Sequence, residues 1–236
     1  MFRGKKLVCF DLDGTLIDSV GIWNQVDAAL IQELSHVQVG LSQIQQQRDQ
    51  QLKAFKHSLD PYLEYCDYLR ELYGFNLSKE EVKSRRYHIS QHFLDHVIEL
   101  KPHAETLIST LKQQGLHIAL TTTTSLSNIQ RYQENNQNIN RKLSFEHDFS
   151  MIWTRENVEN IKPHPEVYLN ALKHFKLSAQ DCVIIEDSLV GVEAANQAGI
   201  DVIAIYDQYS AHEIDLIKAK ADYYVEDFAA LLRLVS

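Results

Sequence analysis

Two aspartates, Asp11 and Asp13, follow the apolar run Leu7 to Phe10 directly and precede Gly14. Glu186 and Asp187 close a second apolar run, and four threonines, Thr121 to Thr124, close a third. A lysine-proline pair, Lys162-Pro163, stands ahead of the helical stretch that leads to Cys182. None of these is specific alone, since a single D-x-D more often caps a helix or makes a turn. Together they suit phosphoryl transfer through an aspartyl-phosphate. A carboxylate attacking a phosphate monoester sets one anion against another, so the site needs positive charge. Carboxylates from two strand ends can bind Mg²⁺, a hard cation that shares itself between protein oxygens and substrate phosphate. Lys162 adds a second positive charge, and a threonine hydroxyl can orient a phosphoryl oxygen for in-line attack. Gly14 permits a tight bend after the aspartates. One aspartate attacks; Asp13 protonates the leaving oxygen and later takes a proton from water. That second role needs a carboxyl whose pKa is raised by burial and a neighbouring anion.

The elements that must position these groups alternate along the chain. LVCF (7–10), HIALT (117–121), CVIIE (182–186) and DVIAIY (201–206) read as strands, DYYV (222–225) reads as a weaker one, and FSMIW (149–153) is ambiguous. Amphipathic helices are expected over 105–114 and 166–175. Near-continuous apolar strands separated by helices predict an α/β fold, a doubly wound parallel sheet covered on both faces. In such sheets ligands bind at the carboxyl ends of the strands, where the aspartates, the threonines and Glu186-Asp187 fall, with Lys162-Pro163 ahead of the helix leading to CVIIE. Residues 19–100 show helical periodicity only, with Pro61 opening one helix and Gly74 closing it. A parallel crossover needs only about a dozen residues, so this stretch is expected to be a second domain: a core of residues 1–17 and 101–236, and a helical cap of 18–100. Gln43–Gln51 reads as a solvated helix face and Glu134–Asn140 as a surface loop.

The formal charge is −9, from 32 acidic against 23 basic residues, which argues against nucleic acid and anionic membranes as partners. With 44% hydrophobic and 23% charged residues the chain has ordinary globular composition. The first apolar stretch is too short for a signal peptide and no later run is long enough to span a bilayer. Cys9, Cys66 and Cys182 share no metal or redox spacing, and Cys9 and Cys182 sit in apolar runs as core residues. A cytoplasmic protein is expected, acting on a small phosphorylated metabolite. Oligomeric state is not legible, with a monomer the default.

FDLDGTLIDS, ALTTTTS, IKPHPEVY and VIIEDSLVGVEAANQAG, in that order, resemble the four motifs of the haloacid dehalogenase superfamily. The last two are most similar to its branch of small phosphatases and β-phosphoglucomutase-like enzymes with a helical cap. The resemblance covers residues 5–17 and 101–206. It implies a Rossmann-like core with an inserted cap, Asp11 as nucleophile and Asp13 as general acid/base. It also implies Thr122 as the hydroxyl on the phosphate, the Thr123 N–H beside it, and Lys162 holding nucleophile and phosphoryl group. Mg²⁺ would be held by the Asp11 side chain, the Asp13 carbonyl and Asp187, with Glu186 either a ligand through water or a partner of Lys162. The threonine run leaves the register open, with Thr121 as the alternative to Thr122. His103 stands where many family members have glycine after the proline that leads out of the cap.

Dehalogenases of the superfamily lack the second aspartate, so Asp13 favours phosphate chemistry. The family's mutase carries a hinge histidine twelve residues beyond the nucleophile; Trp23 occupies that position here. Hydrolysis is therefore preferred to mutase chemistry, and a catalytically silent phosphate-binding protein is the third reading. His88, His92 and His96 form an i, i+4, i+8 stripe, read as the polar flank of a helix whose apolar face is Ile89, Phe93, Val97 and Leu100 rather than as a metal site. Arg85 and Arg86 are candidates to meet an anion or solvent, and Trp23 is expected to be covered.

Overall fold

The computed structural model describes residues 1–55 and 58–235. After β1 (Leu7–Phe10) the chain forms α1 (Ile22–Ser35), α2 (Leu41–Ala54), α3 (Pro61–Tyr73) and α4 (Lys79–His96). It continues through α5 (Ala104–Gln113), β2 (His117–Thr121), α6 (Leu126–Asn135), α7 (Gln137–Asn140), α8 (Phe145–Asp148) and β3 (Met151–Trp153). Then come α9 (Glu166–Phe175), β4 (Cys182–Glu186), α10 (Leu189–Ala198), β5 (Asp201–Ile205), α11 (Ile214–Lys220), β6 (Tyr223–Val225) and α12 (Phe228–Val235). Among the described residues no helix is long and apolar enough to cross a membrane.

All described strands join one parallel sheet in the order β3-β2-β1-β4-β5-β6. Strand order reverses at β1, which lies between β2 and β4. Phe10 is level with Leu120 on one side and Ile185 on the other, so the three strands end side by side. The ambiguous run 149–153 supplies β3. Every residue of β1 and β4 is buried, as strands covered on both faces require. On one face Leu7, Cys9, Cys182 and Ile184 pack with Tyr168 of α9 and Val192 of α10. Cys9 and Cys182 lie with sulfurs 3.8 Å apart, both buried as core residues. The chain divides into two compact units, Met1–Val20 with Ile98–Ser236, and Gly21–Val97.

The unit Gly21–Val97 is helical, built from α1 to α4 around Leu30, Ile44, Tyr65, Leu69 and Val82. Pro61 starts α3 behind an Asp60 cap, and Gly74 ends it at φ 70°, as the sequence predicts. In α2 the glutamine-rich face is mostly exposed, but Ile44 and Arg48 are buried. The apolar face expected for α4 is displaced by one residue. Val82, Arg86, Ser90 and Leu94 are buried, whereas Ile89, Phe93 and Val97 are half-buried, and the three histidines are exposed. The cause is Arg86, which is neither solvated nor free to meet an anion. Its guanidinium grips Asp27 at 2.5 and 3.3 Å, lies 4.7 Å from the Trp23 ring centroid, and Asp27 also accepts from the Tyr65 hydroxyl at 3.0 Å. Arg85 pairs with Glu33 at the surface.

The stretch expected as a surface loop, 134–140, is instead the end of α6 followed by α7. Asn136 is fully buried, caps α7 through the Ile139 N–H at 3.1 Å and donates to the Ile98 carbonyl at 3.0 Å. A polar residue goes inside when both its donor and its acceptor are satisfied.

His103 adopts φ 68°, the left-handed region that favours glycine. His103→Gly should therefore stabilise the protein by up to about 1 kcal/mol, strain relief exceeding the added chain entropy. His103→Ala, which keeps a Cβ at the same φ, should not; equal melting temperatures for the two variants would refute the strain. Arg86→Met leaves the buried Asp27 carboxylate without its cation and should cost about 3–5 kcal/mol. A urea midpoint unchanged from wild type would show that the pair carries no stability.

Candidate active site

The carboxyl ends of β1, β2 and β4 bring most of the expected residues together. Lys162 enters this rim from the loop before α9, its side chain 3% exposed. Its ammonium donates to Asp11 Oδ1 at 2.6 Å, to Glu186 Oε1 at 2.6 Å and to the Thr121 carbonyl at 2.9 Å. The Tyr168 ring centroid lies 5.2 Å away, adding a cation–π contact. The loop is held from both sides. Glu166 accepts from the Glu159 N–H at 2.8 Å and the Asn160 N–H at 3.0 Å, and Gln197 of α10 donates to the Pro163 carbonyl at 3.0 Å. The Lys162-Pro163 peptide is cis.

Glu186 is saturated. Beyond Lys162, its Oε2 accepts from the N–H groups of Asp187 and Ser188 at 3.0 Å and the Ser188 hydroxyl at 2.9 Å. A Cβ at Gly191 would fall inside the Glu186 carboxyl group, so glycine in α10 is what lets this carboxylate sit against the helix. Asp187 accepts from the Thr15 hydroxyl at 2.7 Å and from Ser210 at 3.3 Å. Gly14, at φ 87°, passes so close that a Cβ there would lie 2.8 Å from Asp187 Cγ.

Asp11, Glu186 and Asp187 each present an oxygen, and these lie within 4.8 Å of one another. Burial pushes the Asp11 carboxyl up to about 8; the Lys162 charge opposes this, while Glu186 and Asp13 add to it. Asp187 is raised in the same direction by burial and then by Glu186 and Asp11. For Lys162, burial alone would favour the neutral amine, but Asp11 and Glu186 outweigh it and hold the ammonium. Three buried carboxyl groups face one ammonium, so a second cation is what would let all of them ionise, and an all-oxygen donor set suits a hard divalent one. The donors fit Mg²⁺. Asp11 and Asp187 have less of their oxygen surface committed than Glu186, whose bonding marks it as the partner of Lys162.

Asp13 is half-buried; its carboxylate accepts from the Ser19 hydroxyl at 2.6 Å and from the Thr124 hydroxyl. Hydrogen bonding separates the threonines. Thr121 is spent on the Phe10 carbonyl at 3.2 Å. The Thr122 oxygen accepts the Thr124 N–H at 3.0 Å, which leaves its own proton to donate, and Thr123 is exposed. Thr15, Ser19, Thr124, Tyr168 and Ser210 were not assigned roles from sequence. Thr15 and Ser19 lie inside the FDLDGTLIDS motif and Tyr168 closes IKPHPEVY, so membership of a motif was the available signal; Ser210 offered none.

Known proteins resemble this chain in sequence and in fold. A bifunctional riboflavin kinase/FMN phosphatase of Arabidopsis thaliana is 30% identical over 85% of this chain, which spans about half (49%) of that protein. A phosphoglycolate phosphatase of Pasteurella multocida is 24% identical over 98% of both chains. Among solved structures, a Thermotoga maritima protein assigned as a beta-phosphoglucomutase superposes with a TM-score of 0.75 at 23% identity, covering 97% of this chain and 98% of its own. That likeness establishes the shared Rossmann-type fold. The family model described as haloacid dehalogenase-like hydrolase matches residues 8–205. The chain belongs to the haloacid dehalogenase-like hydrolase family.

Proposed function

We propose that this protein is a Mg²⁺-dependent phosphatase that hydrolyses a small phosphate monoester through an aspartyl-phosphate on Asp11. The observation that carries the reading is the Lys162 ammonium lodged 2.6 Å from Asp11 Oδ1, with an Asp187 oxygen within 4.8 Å of one from Asp11. Such a lysine offsets charge where a phosphoryl group meets the nucleophile and fixes the orientation of the attacking carboxylate. The Asp11 carboxylate forms the new O–P bond as the ester O–P bond breaks, and the leaving alkoxide takes its proton from Asp13. Asp13 then accepts a proton from the water that attacks phosphorus and frees Asp11. Ser19 and Thr124 keep the Asp13 carboxyl aimed, and the Thr122 hydroxyl donates to a phosphoryl oxygen. Mg²⁺, held by Asp11, Asp187 and the Asp13 carbonyl, would neutralise the phosphate charge when bound. Glu186 acts by orienting Lys162.

The helical unit Gly21–Val97 is proposed as the cap that selects the leaving group. The phosphoglycolate and FMN phosphatases among the relatives make 2-phosphoglycolate and FMN the first substrates to try. Mutase chemistry is the second reading, suggested by the assigned mutase with the same fold; Trp23 at the place of the mutase's hinge histidine disfavours it.

Phosphate release from p-nitrophenyl phosphate, 2-phosphoglycolate and FMN should require Mg²⁺ and vanish in Asp11→Asn. Turnover that survives in Asp11→Asn would overturn the nucleophile, and glucose 6-phosphate formed from β-glucose 1-phosphate would favour the mutase. Gly191→Ala should drive Glu186 off Lys162 and lower kcat on the order of 100-fold. Alanine is otherwise the better helix former by about 1 kcal/mol, so wild-type turnover in this variant would show that the close approach is not functional.

A further inference from the structure

The loop that carries Asp13 is braced from a direction the mechanism does not use. Its turn closes on itself, with Gly14 N–H donating to the Ile17 carbonyl at 2.9 Å and Leu16 N–H to the Leu12 carbonyl at 2.9 Å. The Gly14 carbonyl is taken by the ammonium of Lys101. Lys101 stands where the chain re-enters the sheet unit, tied to the same loop by its own N–H on the Leu16 carbonyl at 2.8 Å. Its ammonium also pairs with Asp207 at 2.8 Å, and the Asp207 side chain is only 3% exposed. Asp207 anchors the turn after β5: its Oδ1 accepts the Tyr209 N–H at 2.9 Å and its carbonyl accepts the Ser210 N–H at 3.2 Å. That turn places the Ser210 hydroxyl on Asp187. One ammonium therefore joins the backbone next to Asp13 to the support of Asp187, two sides of the metal and phosphate rim that lie far apart in sequence.

We infer that Lys101 is a positioning residue: anchored by Asp207, it clamps the Gly14 carbonyl and so fixes the Asp13–Gly14 backbone toward the divalent cation. This role rests on the metal and general-acid assignments proposed above. Asp207 also adds negative charge near Asp187, and its partly buried pairing with Lys101 offsets that charge while holding the ammonium on the Gly14 carbonyl. Groups behind the direct ligands of a metal commonly set its affinity by orienting those ligands.

The test uses the full chain and Mn²⁺ as probe, following the loss of the free-ion electron paramagnetic resonance signal. Lys101→Met should weaken Mn²⁺ binding about tenfold or more, while Lys101→Arg, which keeps donors and charge, should recover most of it. At saturating Mg²⁺, kcat for p-nitrophenyl phosphate in Lys101→Met should remain about tenfold low with KM little changed, since the loop bearing the general acid stays loose. The double variant Lys101→Met, Asp207→Asn should bind Mn²⁺ no better than Lys101→Met alone. Wild-type affinity in Lys101→Met overturns the clamp, and recovery in the double variant overturns it in favour of simple charge balance. Should the methionine variant fail to fold, Lys101→Gln is read in the same way. A wild-type chain that takes up no Mn²⁺ overturns the clamp together with the metal assignment, whereas a binding wild type with an equally binding variant overturns the clamp alone.

Discussion

An ammonium withdrawn from water must be repaid by carboxylates at contact distance, and in this protein that constraint organises the rim. Lys162 meets Asp11 and Glu186, both at 2.6 Å, and each of those carboxylates comes from the end of a different strand. A buried ion is tolerated only where geometry and hydrogen bonding are close to ideal. The surrounding structure supplies this: the loop is pinned by Glu166 and Gln197, Glu186 is saturated by the start of α10, and Gly191 yields the space. The resulting charge imbalance of three carboxylates against one lysine is also what makes the site receptive to a cation.

The sheet order makes this meeting possible. With β1 at the centre, the ends of β2 and β4 flank the end of β1 although each lies over a hundred positions from it in the chain. Parallel register then converts sequence offset into spatial offset: Asp11 is one residue past Phe10, Thr121 one past Leu120, Glu186 one past Ile185. Hydroxyls outside the proposed catalytic set hold its carboxylates, Thr15 on Asp187 and Ser19 and Thr124 on Asp13. Each acidic side chain thus arrives already oriented.

Much of this was legible in the sequence because buried parallel strands are nearly continuous apolar runs, and polar residues that interrupt their ends stand out. HIALT and CVIIE are strands over the expected residues, and α9 over its own. The threonine register was not legible, since four identical side chains differ only in where the backbone turns; it took the Thr121 bond to the Phe10 carbonyl to separate them. The polar stretch 134–140 misled because side-chain capping hides a residue such as Asn136 from any hydropathy pattern. For α4, a buried arginine mimics a solvated one until Asp27, from another helix, is placed beside it. Lys101 and Asp207, 106 positions apart, carried no signal because their relation exists only in three dimensions.

The placement of the three thiols has a practical consequence. Cys66 is buried within the four-helix unit, while Cys9 and Cys182 are buried in the sheet. An alkylating reagent can reach any of them only after the surrounding structure opens. Labelling at Cys66 therefore times the breathing of the helices, and labelling at Cys9 or Cys182 times that of the sheet, so the native sequence already contains a separate clock for each of its two compact parts.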